Sequence, residues 1–308
     1  FDELPDAPPK RKIRLSWAGK LGIAVLVFWA IIVVIGPSIS PYHEAEFLEE
    51  SLFIVPGSDE KYPDTDFQPP SRIVLLGSDY MGRDTLSRIL FGARTTIGIS
   101  FIATILAYLI GVTLGIAAAV GYRFQYRGFT IIELDTVLSR LNDALLSIPS
   151  IMMGLVMIAA LGSTIPLLIV LTGIIYAASV FRIARSLGQE VMVSDFVEAA
   201  RVRGEGLWWI ITREILPNVA MPLATDFGLR FVWVILFISA LSFLGLGVQP
   251  PMSDWGSMVK ENLPGLIYGS VAPLVPSLAI ATLTISVNMI VDDISAQTGG
   301  KLAKRMIS

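Results

Sequence analysis

Six apolar stretches, at 21–39, 95–120, 141–161, 165–181, 219–245 and 271–291, constrain this chain more than any other feature. Each approaches or exceeds the ~20 residues that a helix needs to cross a bilayer. Hydrophobic residues make up 54% of the sequence and charged residues 16%, and the mean hydropathy is +0.68. A water-soluble domain of this composition would have too few polar side chains to cover its surface. The expected fold class is an all-α membrane protein with six transmembrane helices.

Six spans divide the connecting segments between two sides. One side takes both termini and the loops 121–140 and 182–217, with sixteen Lys and Arg residues, among them Lys10, Arg11, Lys12 and Arg14. The other side takes six, and Arg230 falls inside a span. The positive-inside rule therefore expects both termini in the cytoplasm. Segment 43–70 is then exterior, and its eight carboxylates face one lysine, Lys61, so a formal net charge of -3 hides a strong asymmetry across the membrane. Its role is open.

The basic run before the first span could be taken for a secretory signal. The span is longer than a signal core and no small-residue cleavage site follows, so an uncleaved anchor is expected. The absence of a methionine at position 1 implies that residues precede Phe1. There is no cysteine, hence neither disulfide nor thiolate metal site. His43 is the only histidine and lies among exterior carboxylates, where a solvated ring is the expectation. No lysine sits in the G-x-x-x-x-G-K-[ST] pattern that cradles phosphates, so this chain offers no nucleotide site of that kind.

A polar island interrupts the apolar pattern at residues 195–204. Asp195 with Glu198 three residues on fits a capping box, so a helix is expected to begin at Asp195. Val193, Phe196, Val197 and Ala200 form an apolar stripe, and Glu198, Arg201 and Arg203 a charged face. Gly204 is the expected left-handed stop. A second short helix runs from Leu207 until Pro217 ends it, because proline lacks the N–H and disfavours helical geometry in the residue before it. On these residues alone, an amphipathic loop helix lying on the membrane surface is an equal reading.

The island resembles the EAA loop of bacterial ABC-importer permeases. Three more stretches are similar to the dipeptide/oligopeptide/nickel branch of that family, and closest to its second transmembrane subunit. They are Leu76-Gly77-Ser78-Asp79-Tyr80-Met81-Gly82-Arg83-Asp84 with Leu86-Ser87-Arg88 and Gly92-Ala93-Arg94; Ala144-Leu145-Leu146-Ser147-Ile148-Pro149; and Ser242-Phe243-Leu244-Gly245-Leu246-Gly247-Val248-Gln249-Pro250-Pro251 before Asp254-Trp255-Gly256. Together these cover residues 72–295.

The resemblance implies the type I permease fold with a cytoplasmic EAA coupling helix. Its parts would be a cytoplasmic segment 1–20, a first transmembrane helix 21–39, a periplasmic acidic segment 40–92, a core permease domain 93–294 with five transmembrane helices and the coupling loop 188–217, and a cytoplasmic tail 295–308. It further implies one half of a heterodimeric channel in the bacterial inner membrane, importing peptides or a related small solute. Partners would be a second permease subunit, two ATPase subunits that carry the ATP and Mg, a periplasmic solute-binding protein and the lipid bilayer; no nucleic acid is involved. This chain would bind no cofactor or metal and catalyse nothing. In such permeases the short helix lies in a groove of the ATPase, which assigns Asp195, Glu198, Ala199, Ala200, Arg201, Gly204 and Pro217 to coupling. Peptides lead the solute classes, ahead of nickel chelates, opines and sugar-like solutes.

Other residues carry two readings each. Gly111 and Gly115 form a G-x-x-x-G pattern, read as helix packing. Pro149 either kinks its span beside a pore or is a tolerated transmembrane proline. Gly245 and Gly247, with Pro250 and Pro251, end the fifth span as a gate, a binding-protein contact or a plain turn, with Trp255 suited to the membrane interface. Asp226 and Arg230, four apart near the start of the fifth span, share one helix side and are expected to pair, near the cytoplasmic mouth, either lining the path or anchoring the helix. A secondary transporter or a membrane-embedded enzyme is the alternative class; either would work alone, whereas a permease would co-purify with ATPase subunits.

Overall fold

The computed structural model describes residues 15–49, 65–121, 125–126, 129–130 and 132–307; the basic run 10–14 and residues 50–64 of the acidic stretch lie outside them. Helices dominate. The long ones are α1 (Trp17–Ile39), α2 (Thr85–Gly121), α5 (Ile165–Met192), α8 (Leu216–Phe243) and α10 (Leu274–Ile307). Shorter are α3 (Ile132–Leu146), α4 (Ser150–Leu161), α6 (Asp195–Val202), α7 (Leu207–Trp209) and α9 (Trp255–Asn262). A hairpin of two-residue strands, β1 (Gln125–Tyr126) with β2 (Phe129–Thr130), joins α2 to α3, and an isolated antiparallel bridge pairs Ser78 with Asp84.

The expected single span at 141–161 is instead α3 and α4, bent by 83° at Ser147-Ile148-Pro149. Pro149 holds φ at -55° ahead of α4, and its ring excludes Ile148 from ordinary helical geometry. Ser147 turns its hydroxyl back onto the Ala144 carbonyl, 2.7 Å away. The pair still crosses the bundle. Arg185 near the end of α5 binds Asp135 at the start of α3 with 2.5 and 2.7 Å bonds. At the opposite end, the Ser163 hydroxyl beyond α4 donates to the Leu246 carbonyl at 3.1 Å. The Ser16 amide, one residue before α1, donates to Asp293 of α10 at 2.9 Å, so the chain's two ends share one face. That requires an even number of crossings, which the five long helices complete only with the bent pair as the sixth.

Other spans are longer than their hydropathy indicated. α2 begins at Thr85 rather than 95 because Asp84 caps it, accepting from the Ser87 amide at 2.8 Å. α5 continues past 181 to Met192, carrying Arg182 and Arg185 beyond the apolar stretch. α10 likewise continues through the segment 295–307.

Small residues set the packing of α2 on α5. A Cβ added at Gly111 would lie 2.8 Å from the Ala177 carbonyl, and one at Gly115 2.7 Å from that of Phe181. The G-x-x-x-G stretch is therefore a close helix contact, as read from the sequence.

At the end opposite the chain termini, segment 65–84, the start of α2 and α9 are locked by buried charges. Arg88, 1% exposed, donates to Asp79 and, at 3.0 Å, to Glu261; Arg83 reaches the same two carboxylates at 2.8 and 3.3 Å. Two cations and two anions neutralise one another, which makes their burial tolerable. Glu44 accepts from the Ser253 amide, drawing part of the acidic segment into the same cap. Burial pushes the Asp254 carboxyl above the usual range, opposed by its bonds from Thr96 and the Ser257 amide.

Trp255 corrects its interfacial reading. It is fully buried, donates to the Ile89 carbonyl at 3.1 Å and packs edge-on against Trp29 at 4.7 Å. Removing one partner of a buried pair leaves its neighbour uncompensated, a loss of about 3–5 kcal/mol. Arg88→Ala should lower thermal stability in detergent by that order, with loss of the monodisperse peak on size exclusion; an unchanged melting profile would show that the cluster does not hold the cap.

Candidate coupling site and intramembrane polar cluster

Two residues separate α5 from α6, so the island grows directly out of a transmembrane helix. Val193, in the first of these positions, is 65% exposed, and Phe196 is 42% exposed, whereas Val197 and Ala200 are fully buried. Only half of the expected stripe therefore faces the protein. Val193 precedes the helix, and Phe196 is turned about 100° from Val197. The two inward residues join a cluster with Met192, Ile210, Ile215 and Val219, where α5 ends and α8 begins.

The capping box is not formed. Ser194, not Asp195, precedes the helix, and it makes no side-chain cap. Asp195 and Glu198 instead occupy the first turn, where the helix dipole favours carboxylates. Glu198 pairs with Arg201 at 3.0 Å. Ala199 faces outward and Ala200 inward.

Gly204 behaves as the sequence indicates. Its φ is +82°, its amide donates to the Arg201 carbonyl at 2.9 Å, and the Glu205 amide donates to that of Ala200 at 3.1 Å. These two bonds define a Schellman stop. A Cβ at Gly204 would meet nothing within 4 Å, so its surroundings are open on this chain. Val202 at 82% exposure and Trp208 at 76% complete an uncovered apolar edge beside it.

Pro217 does not end a helix, contrary to the sequence reading. A π-helical stretch, Ile210–Ile215, bridges α7 to α8, and Pro217 sits in the first turn of α8. The Leu216 amide reaches back to the Ile211 carbonyl. This wider ladder carries the chain to a position where proline's missing N–H is harmless.

Asp226 and Arg230 lie near the middle of α8 rather than at its mouth, Arg230 being about 20 Å along the helix from Pro217. They pair, with Arg230 Nε 3.4 Å from the Asp226 carboxylate. Sequence reasoning missed the third member: the Tyr108 hydroxyl of α2 donates to the same carboxylate at 2.5 Å. A lone tyrosine in an apolar span was the only available signal. Tyr176 of α5 stands nearby on the next side, donating to the Trp233 carbonyl of α8 at 3.1 Å. Tyr176 also lines a cavity of roughly 210 Å³ with Pro149, Ser150 and Ser179, beside the α3–α4 break.

At the far end of α8, Gly245 has φ +88° and its amide donates to the Ser242 carbonyl, while the Leu246 amide donates to that of Leu241. This is a second Schellman stop. Gly247 backs directly onto Ser242 and accepts from Ser163, tying this turn to the one after α4. The residues singled out from the sequence thus occupy separate levels: the island at one end, the Asp226 cluster and Pro149 in between, the glycine turn at the other.

His43 is exposed, its backbone amide donating to Glu46 at 2.9 Å. The bidentate Asp135–Arg185 pair was also missed in the sequence, because α3 and α5 are distant along the chain and no spacing rule links them.

Six crossings with an exposed helical elbow at one end describe a multi-span membrane protein. Comparison with known proteins gives the class: the chain belongs to the family of binding-protein-dependent transport system inner membrane components, whose model matches residues 111–296. It is a permease subunit of an ATP-driven importer, in which ATP is hydrolysed on a separate subunit. Over 226 residues, 73% of each chain, it is 36% identical to a peptide transport system permease protein of Brucella suis biovar 1 (strain 1330) whose own description is provisional. It is 31% identical over 252 residues, 81% of each chain, to the glutathione transport system permease protein of Pectobacterium atrosepticum. It is 27% identical over 301 residues, 96% of each chain, to a dipeptide transport system permease protein of Haemophilus influenzae.

Proposed function

We propose that this subunit imports peptides and that α6 is its docking element for an ATPase subunit. The observation that carries the docking role is the split of α6 itself: Val197 and Ala200 anchor it to the ends of α5 and α8, while Ala199, Val202 and Gly204 face outward with no cover from this chain. A rigid element joined by two residues to a transmembrane helix passes displacement to it. Small residues at its outer face let a partner's backbone approach closely.

The peptide class is supported by the names of the relatives, which concern peptides, dipeptides and glutathione. The channel would be completed by a second permease subunit, with two ATPase subunits below and a periplasmic solute-binding protein against the cap formed by segment 65–84 and α9. The excess of Lys and Arg in the termini and the loops 121–140 and 182–217 supports a cytoplasmic face for α6.

Residues 1–308 contain no cysteine, so single cysteines introduced there report sidedness. Ile267→Cys, at a position 86% exposed, should react with impermeant maleimide in intact spheroplasts, and Val202→Cys, at 82%, only after lysis. The reverse pattern would invert the orientation.

Gly204→Val places a β-branched residue at positive φ in open space, a local strain of ~1–2 kcal/mol that leaves the spans intact. Glu198→Lys puts a cation in the first turn, against the dipole. Either variant, present in the membrane at parental level, should lose most uptake of radiolabelled dialanine in cells carrying the complete importer. Parental uptake by both would remove the coupling role.

A further inference from the structure

The middle of α8 carries a guanidinium that its own protein leaves mostly unused. Burying an arginine at a helix centre costs ~2.5–3.5 kcal/mol on insertion scales, so such a residue is normally well paired. Here the pairing is thin. The Arg230 Nε lies 3.4 Å from Asp226, longer than the 2.7–2.9 Å of a charge-assisted bond. Asp226 gives its short bond to the Tyr108 hydroxyl instead. Among the described residues no acceptor meets Nη1 or Nη2 of Arg230, and its side chain is 21% exposed.

The free end of Arg230 has somewhere to point. Leu229, Trp233 and Leu236 recur at spacings of four and three and are 37%, 57% and 42% exposed, so they mark one open face of α8. Asp226 and Arg230 run along the border between that face and the packing against α2 and α5, where Tyr108 and Tyr176 stand. Arg230 is thus held by one edge of its plane, and among the described residues its two terminal nitrogens meet no acceptor.

We infer that Arg230 is a transient binding point for a carboxylate on the transported solute, for a peptide its C-terminal carboxylate, with Asp226 and Tyr108 as the groups that position it. The inference rests on the reading of this subunit as a peptide permease. A planar fork of N–H groups matches a carboxylate in two parallel bonds, which a rotating ammonium does not. The apolar setting strengthens the attraction relative to water. Asp226 limits it: with the guanidinium already half neutralised, an arriving carboxylate is held weakly enough to move on, as a site on a transport path requires.

The test uses cells carrying the complete importer and measures maximal uptake, per assembled complex, of radiolabelled dialanine and of its C-terminal amide. The binding protein is unchanged throughout, so a change in the ratio of the two rates belongs to the membrane subunits. R230Q should lower the maximal dialanine rate about ten- to hundredfold with the half-saturating concentration unchanged, while the amide rate stays within about twofold. R230K, which keeps the charge without the fork, should recover part of the loss. Should R230Q fail to assemble, the double variant D226N/R230Q removes both charges together and should assemble with the same loss of discrimination. An assembled double variant with the parental ratio overturns the inference while leaving the peptide reading in place. A parent that ignores dialanine but imports gluconate, with R230Q abolishing that uptake, overturns the peptide reading and keeps the carboxylate site. A parent that imports only solutes without a carboxylate overturns both.

Discussion

Hydrocarbon offers no hydrogen bonds, so every polar group that this chain carries into its apolar slab must be matched by another part of the chain or turned towards an aqueous space. The architecture follows from that demand. Backbone groups are satisfied within long helices, and helix–helix contact comes from small residues such as Gly111 and Gly115 against α5 rather than from expulsion of water. Several charges near the ends are matched in pairs or in fours. The Arg83, Arg88, Asp79 and Glu261 cluster closes one end of the bundle, and Asp135 with Arg185 clamps the broken span at the other. Arg230 stands out because it lies at the middle of a span and meets its carboxylate only at 3.4 Å.

The same demand explains where the helices stop being regular. The α3–α4 break exposes carbonyls and amides that a lipid-facing helix could not leave open, and it lies beside a cavity lined by Ser150, Tyr176 and Ser179. Beyond the apolar slab, the π-helical stretch before Pro217 leads from the exposed elbow at α6 into α8 without a flexible joint. α6 is therefore seated between the ends of two transmembrane helices, α5 through two residues and α8 through the cluster of Ile210, Ile215 and Val219. In the proposed coupling role, a push on α6 would act on both at once.

Much of this was legible in the sequence. Hydropathy located all six crossings, and the glycine at 204 announced a left-handed stop because few other residues adopt its φ of +82°. What failed has specific causes. Hydropathy averages over a window, so it began α2 too late, since Arg88 reads as polar although it is buried and paired. It also fused α3 with α4, because a bend of 83° leaves composition unchanged. Periodicity placed Val193 and Phe196 on an inward stripe, although Val193 precedes the helix that starts at Asp195 and Phe196 is turned about 100° from Val197. Trp255 was read from residue type, whereas its burial depends on Trp29 and Ile89, both far away in sequence. The Tyr108 bond to Asp226 and the Asp135–Arg185 pair are tertiary contacts without a local signature.

The central claim is that the outer face of α6 is covered by an ATPase subunit in the assembled importer. A photo-reactive benzoylphenylalanine at Val202, 82% exposed on this chain, reads that contact directly, with Phe28, 53% exposed on α1, as the control position. In the intact complex the account predicts an ATPase crosslink from position 202 and none from position 28. Crosslinks from position 202 to lipid or to the second permease alone, in a complex that retains its ATPase subunits, would contradict it.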